Sequence, residues 1–514
     1  MNGSESLMLT LAASGVDMCF ANPGTSEMHA VVALDKVDKI RPVLGLFEGA
    51  VTGMADGYAR ITGKPAATLL HLGSGLGNGI ANLHNAKRAH SPVVNIVGDH
   101  ALYHQQWDTP LASDIESLAR PVSCWVRKTR SALDVAADGA QAVAAARASP
   151  GGIATLIVPA DTAWNAAQSP APPVEVTARP LPPDHAIDRT VELLRTGQRC
   201  VILARGEALL DEGLSLLNRI CAASGAALMC DQQAPRLARG TGRPLVESVP
   251  YRAEVAKEHF ADVAHLILVG TEPPVAAFAY PDYPSWVLPE GMTIHYLAHP
   301  HEDGVAALAA TAQMLGAPRL TREVMPLDLP ERPTGDLDQF SIGAVMARLM
   351  PEGAIISSEA ATCNLGPMAA TQAARPHDWL SNTGGAIGQG IPLATGAAIG
   401  APGRRVINLQ ADGSGMYTLQ ALWTQAREHL DVVTILFANR RYAILEDELA
   451  RVGVAHKGPA TRTMFELDRP ELRWTALAEG MGVEASRAVT VAEFEAQLTA
   501  ALGKSGPHLI EAVV

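Results

Sequence analysis

Paired cysteines, a basic surplus, long apolar runs and aromatic residues are all scarce in this chain. The six cysteines, Cys19, Cys124, Cys200, Cys221, Cys230 and Cys363, are scattered with no CxxC pair. That excludes a paired-cysteine zinc site or a disulfide framework and suits reduced thiols in a cytoplasmic protein. No apolar run approaches the ~18 residues of a membrane helix. The opening MNGSESLMLTLAASG is amphipathic and carries an acid, without the basic region of a signal peptide. Forty Lys and Arg against 53 Asp and Glu leave a net charge of −13, so neither nucleic acid nor an anionic membrane is expected as a partner. Aromatics make up 4% of the residues, which suits thin, tightly packed layers of helix on sheet. No glycine-rich stretch carries the GxGxxG fingerprint with a ribose-binding acid after it, which argues against a nicotinamide dehydrogenase.

Two proline-rich stretches, QSPAPPVEVTARPLPPD at 168–184 and MPLDLPERPTGD at 325–336, read as linkers. They leave three blocks, 1–167, 185–324 and 337–514. Each block alternates helical and short apolar segments, the pattern of a parallel sheet covered by helices on both faces. The expected fold is therefore α/β, with three doubly wound parallel-sheet domains.

Residues 405–445 are the most informative stretch. Val406 to Leu409 is a short strand ending at Asp412-Gly413-Ser414. Leu419, Leu422, Trp423 and Ala426 then recur at helical spacing, and Val432 to Phe437 forms a buried-type strand followed by Asn439. One strand-helix-strand crossover thus brings Asp412 and Asn439 to the carboxyl edge of one sheet, where such folds bind ligands. An Asp-Gly turn and a strand-ending Asn are individually common. Together they suit Mg²⁺, which takes one or two protein oxygens plus phosphate oxygens.

The first block repeats this logic. Strands at Met18 to Ala21, Val43 to Phe47, Ala66 to Leu70 and Val93 to Val97 end at Asn22-Pro23-Gly24-Thr25, Glu48, His71 and His100. Thr25, Glu48, His71 and His100 should therefore share one sheet edge, with His104 a further pocket candidate. Glu48 follows an apolar run and is expected to be desolvated, which is costly without a partner. A glutamate at a helix start is also favoured by the macrodipole, so position alone leaves both readings open. His71 could equally be a structural histidine, although the glycine-rich loop beside it leaves room for a ligand.

These motifs resemble those of thiamine-diphosphate enzymes. ADGSGMYTLQALWTQA with ANRRYAIL, LFEGAVTGMADGYAR and LLHLGSGLGNGIANLHNA look most like benzoylformate decarboxylase and its acetolactate synthase relatives. Ala411 and Ala438 depart from the family's Gly-Asp-Gly and Asn-Asn, at positions that supply no metal ligand. The resemblance implies Mg²⁺ on Asp412, Asn439 and the carbonyl of Arg441, with Gly413, Ser414 and Thr362 around the diphosphate. It implies that the Gly385 carbonyl accepts from the aminopyrimidine, and that Ile387 is the wedge supporting the cofactor's bend. Glu48 would hydrogen-bond the pyrimidine N1′ and drive the tautomer that activates the thiazolium carbon. Thr25 and His71 would meet the substrate, and Ile444 and Leu445 would line its pocket. The middle block has no phosphate loop, so FAD is not expected there. Its VAAFAYPDYP stretch lacks the second catalytic histidine of benzoylformate decarboxylase, leaving Tyr280 as a substitute to consider.

The resemblance thus implies a thiamine-diphosphate- and Mg²⁺-dependent decarboxylase or carboligase acting on a small 2-oxo acid. An acetolactate-synthase-like carboligase without FAD is the near alternative, favoured by the missing histidine. A non-catalytic cofactor-binding subunit is the alternative of another class, prompted by Ala411 and Ala438. In this family the site lies between subunits, so a homodimer or homotetramer is expected.

Overall fold

The computed structural model describes all residues except 282, 320–323 and 455–456. Among the described residues, three sheets carry the fold. The first runs Arg41–Leu44, Met18–Asn22, Ala66–Leu70, Val93–Asp99, Ile153–Pro159, Trp125–Lys128, with every neighbour parallel. Three adjacent strands of this sheet, Ala66–Leu70, Val93–Asp99 and Ile153–Pro159, contain only buried residues. Burial on both faces and mostly apolar residues are what a parallel sheet covered by helices requires, and the Asn95 side chain buried within it is met by Thr68 and Thr155. The second sheet is also parallel and runs Glu247–Ser248, Ala227–Cys230, Cys200–Ala204, His265–Val269, Thr293–Ala298.

The third sheet has seven strands, in the order Glu484–Ala488, His508–Val513, Val432–Ala438, Val406–Ala411, Ala354–Glu359, His377–Ser381, Leu237–Arg239. The last pairs antiparallel with His377–Ser381 and comes from the middle of the chain. Strand alternation within the middle block gave no sign of this loan. Residues 168–183 and 325–335 contain neither helix nor strand, as their prolines dictate. One expected strand is shorter than its apolar run. It stops at Leu44 because the Gly45 N–H makes the last bond, to Ala21 O, and the chain then bends toward the helix Glu48–Thr62. The expected helix around Leu419 begins later, at Ala421, and Asp412–Gly415 is a helical turn of its own.

The first and third sheets meet through two buried helices. Glu48–Thr62 is buried from Glu48 to Arg60, and Gly390–Gly400 is buried up to Ile399. Their backbones touch: a Cβ on Gly57 would lie 2.1 Å from the Leu393 carbonyl oxygen, and one on Gly396 1.9 Å from that of Met54. Beside this seam, Asp56 and Arg60 form a bidentate pair at 2.8 and 2.6 Å, with side chains 0% and 2% exposed. Asp56 also accepts from Ser91 at 2.5 Å and Gln389 at 2.6 Å. Arg60 also donates to Thr383 Oγ1 at 2.8 Å, Ser381 O at 2.7 Å and Pro235 O at 3.3 Å. One ion pair therefore fastens segments belonging to all three blocks. Removing one member of a buried pair strands the other, at about 3–5 kcal/mol. Asp56→Ala is expected to lower stability by about that amount, read as a fall in the urea midpoint. The paired replacement Asp56→Leu with Arg60→Met should cost less than either single change.

Candidate active site

The strand order of the first sheet reverses between Met18–Asn22 and Ala66–Leu70, and that of the third between Ala354–Glu359 and Val406–Ala411. Such switch points open crevices at the strands' carboxyl ends. The candidate residues gather at these two places.

At the first, Thr25 is exposed and opens the turn Thr25–Glu27, while His71 caps the helix Leu72–Ala89. His71 Nδ1 lies 2.8 Å from Glu27 Oε2 and 3.4 Å from Ser26 Oγ. A ring nitrogen facing a carboxylate carries the proton, so Nε2 is the atom left available in the neutral ring. Glu27 is 3% exposed, and its Oε2 also accepts from Gly24 N at 2.8 Å. Two glycines make room for this pair: a Cβ on Gly24 would lie 2.3 Å from the His71 ring, and one on Gly98 1.7 Å from Glu27 Oε1. Glu48 begins its helix and is buried, as expected, but it has a partner, since Asn78 Nδ2 donates to Oε2 at 3.0 Å. The glycine-rich stretch expected as a loop is the start of the helix Leu72–Ala89. Glu48 Oε1 lies 3.0 Å from where a Cβ on Gly75 of that helix would stand, so the glycine keeps the oxygen uncrowded. His100 Nε2 lies 3.0 Å from Thr109 Oγ1, and its ring neighbours that of His104 at 5.6 Å.

At the second switch point Asp412 is 3% exposed and starts its helical turn. Its Oδ1 accepts from Gly413 N at 2.8 Å and its Oδ2 from Arg440 N at 2.6 Å, across to the neighbouring strand's end. Burial pushes its carboxyl up to about 6 despite these donors. Arg440 takes a left-handed φ of +58°, which turns the chain so that Asn439 Oδ1 accepts from Arg441 N at 3.2 Å. Gly413 is needed less for a ligand than for Tyr442, whose ring carbon would lie 2.4 Å from a Cβ there. The Ser414 hydroxyl is engaged inside the turn, with Gln410 Nε2 at 2.6 Å and the carbonyl of Ala411 at 3.1 Å. Thr362 is half-buried in the turn Ala361–Asn364. Among the described residues no cluster of three or more His, Cys, Asp or Glu side chains forms a metal site. What the loop offers is a buried carboxylate, an amide oxygen and nearby carbonyls, a hard-oxygen set of the kind Mg²⁺ takes.

The loop 382–389 links the halves. Asn85 holds Ala386 from both sides, at 2.8 and 3.2 Å, and Asn82 donates to the carbonyls of Gly49 at 2.8 Å and Gly388 at 3.1 Å. From below, Glu359 Oε1 accepts from Gly388 N, Gln389 N and Asn382 Nδ2 at 2.9 to 3.2 Å. Its Oε2 accepts from Gly390 N at 3.0 Å and Gln410 Nε2 at 2.9 Å. The loop so held presents Gly385, exposed with φ +72°, and Ile387, 41% exposed. Ile444 and Leu445 lie on the first turn of the helix Ala443–Arg451, directly after the Asn439 loop. Tyr280 donates its hydroxyl to Glu448 of that helix.

This architecture defines a class, an α/β protein of three parallel-dominated sheets with the candidate residues gathered at two switch points. The chain belongs to the thiamine pyrophosphate enzymes: residues 1–118 match the family's N-terminal TPP binding domain and residues 361–512 its C-terminal TPP binding domain. It is similar to IlvX of Mycobacterium tuberculosis, whose name places it provisionally among acetolactate synthase large subunits, with 49% identity over 100% of this chain and 99% of that one. Benzoylformate decarboxylase of Pseudomonas aeruginosa is 30% identical over 97% of this chain and 96% of its own. Among solved structures, the thiamine diphosphate-dependent 4-hydroxybenzoylformate decarboxylase of Rhodococcus jostii RHA1 superposes with a TM-score of 0.88, at 26% identity over 100% and 99% of the two chains.

Glu27, Asn78 and Glu359 were not singled out by sequence reasoning. Glu27 had one usable signal, an acid three residues after Gly24 in the pattern of a capping box. The Glu27 carboxylate should fix the His71 tautomer. Imidazole ¹⁵N resonances should report a proton on Nδ1 in the unaltered chain and a mixture of tautomers in Glu27→Gln; identical spectra would remove Glu27 from this role.

Proposed function

We propose that the chain is a thiamine-diphosphate- and Mg²⁺-dependent enzyme that decarboxylates a small 2-oxo acid, the acyl carbanion equivalent left behind being either protonated to an aldehyde or added to a second carbonyl. The observation that carries the reading is Glu48, a buried carboxylate at a sheet switch point with one oxygen held by Asn78 and the other uncrowded above Gly75. When bound, the cofactor supplies a carbanion-forming thiazolium carbon and an electron sink for the departing CO₂. Glu48 would hold a proton at Oε1, the oxygen open toward the pyrimidine, and His71, oriented by Glu27, would move a proton at Nε2 to or from the substrate's oxygen. Thr25 holds the substrate, and Ile444 and Leu445 line its side chain's path. Asp412, Asn439 and the Arg441 carbonyl would hold the metal. Gly413, Ser414 and Thr362 would lie around the diphosphate, and Gly385 and Ile387 would support the cofactor.

The acetolactate-synthase-like reading keeps its place beside the decarboxylase. It is favoured by IlvX at 49% identity and by the absence of histidine from 275–284. FAD is no part of either reading. The domains are taken as 1–167, 185–324 and 337–514, with the pyrimidine half of one subunit facing the diphosphate half of another in a cytoplasmic homodimer or homotetramer. Ile387 and Leu445, each 41% exposed in the single chain, suit coverage by such a partner. Among the described residues no helix is long and apolar enough to cross a membrane.

Proton NMR of products from pyruvate and from benzoylformate, each with Mg²⁺ and thiamine diphosphate, separates the readings. Benzaldehyde supports the decarboxylase, and acetolactate or acetoin the carboligase. Glu48→Gln is expected to bind cofactor but to lose turnover by ~10²-fold or more, and unchanged turnover would remove it from the mechanism. Asp412→Ala should abolish Mg²⁺-dependent cofactor binding in calorimetry; undiminished affinity would refute the metal assignment.

A further inference from the structure

The helix Ala443–Arg451 has no buried residue, although it directly follows the Asn439 loop and carries Ile444 and Leu445 on its first turn. An amphipathic helix is ordinarily placed by the apolar face it buries. This one is placed by polar side chains at its far end. Glu448 accepts from the Tyr280 hydroxyl on Oε2 and from the Tyr251 hydroxyl on Oε1 at 3.2 Å. Three residues on, Arg451 donates to both carboxylate oxygens of Glu254 at 3.0 Å. Its guanidinium also lies over the rings of Tyr280 at 4.8 Å and Tyr251 at 5.9 Å. These partners of Glu448 and Arg451 come from the middle block: Tyr251 and Glu254 around the start of the helix Ala253–Phe260, Tyr280 beyond the strand His265–Val269. On the first turn Glu446 pairs within the third block, with Lys457 at 2.9 Å and Arg441 at 3.7 Å. Burial and the Glu448 charge hold both phenols above their ordinary range, so both remain donors at neutral pH.

Single exposed ion pairs contribute little. Here two hydrogen bonds to one carboxylate, an arginine Nη2 shared by both oxygens of a second carboxylate and two cation–π contacts converge on residues one turn apart. We propose that Tyr251, Glu254 and Tyr280 are positioning residues, which fix the Ala443–Arg451 helix through Glu448 and Arg451 and thereby set where Ile444 and Leu445 stand in the substrate pocket. The middle block would then shape substrate selection without touching the substrate. A role for Tyr280 as stand-in for the missing histidine needs a free phenol, whereas this hydroxyl is committed to Glu448. The latch itself stands on geometry, and its link to substrate rests on the proposed function.

Hydrogen exchange of the full chain, with and without Mg²⁺ and thiamine diphosphate, tests the latch. Amides of 445–451 are expected to exchange about tenfold faster or more in Tyr251→Phe/Tyr280→Phe and in Glu448→Ala, since hydrogen bonds to a charged group are lost. Glu448→Gln, which keeps an acceptor, should fall between, and the strand Val432–Ala438 should be unchanged. In turnover of the 2-oxo acid, the double variant should raise KM about tenfold with kcat within about twofold, the signature of lost uniform binding. Unchanged exchange overturns the latch. Faster exchange with unchanged KM overturns its link to the pocket, and a collapse of kcat in Tyr280→Phe alone makes Tyr280 catalytic instead. Absence of cofactor binding would defeat the proposed function while leaving the exchange result to decide the latch.

Discussion

The structure depends above all on the buried pair of Asp56 and Arg60. Two charges removed from water need every lone pair and proton satisfied. The chain meets that need with Ser91, Gln389, Thr383 and the carbonyls of Ser381 and Pro235. These partners lie far apart in sequence, so the pair is complete only when the first and third sheets have docked with the middle block's edge. It therefore acts as a register mark. The glycine seam between the two buried helices lets them approach, and the ion pair selects one relative position.

The same economy recurs at both half-sites, where a buried carboxylate holds the group that does the presenting. Glu27 orients His71, and Glu359 gathers three successive backbone N–H groups beneath the loop of Gly385 and Ile387. Burial pushes the Glu359 carboxyl up while its donors pull it down. A loop tied at Glu359 and again at Asn85 has few ways to move, which is what a support for a bent ligand needs. The Asp412 loop is fixed differently, through one left-handed residue, Arg440, between the strand end and the following helix.

Much of this was legible in the sequence, for a definite reason. Parallel strands are mostly apolar runs, so polar residues at or just past their ends stand out; Asp412 and Asn439 stood out in that way, whereas position left Glu48 and His71 open and the resemblance favoured them. What was hidden depends on partners distant along the chain. Glu359 looks like any strand-ending acid until residues 388–390 arrive above it, and Asp56 looks like a helix-surface residue until Arg60 and Gln389 enclose it. Leu237–Arg239 is only three residues long, too short for a periodic signal, and its antiparallel pairing is set by the third sheet. Tyr280 could be noticed only for standing where a histidine was missing, whereas its contact with Glu448 required the fold.

That short strand has a consequence for how the protein is made. Leu237–Arg239 leaves the ribosome well before His377–Ser381, the strand it pairs with. Until then the second sheet can close but this segment has no ladder to join, and it stays available to whatever edge it meets first. The nascent chain thus carries an unmatched strand through the synthesis of much of the third block. Expressing the third block alone, from 337 onward, would leave His377–Ser381 as a bare sheet edge, so the two pieces are not separable modules despite the proline-rich joint between them.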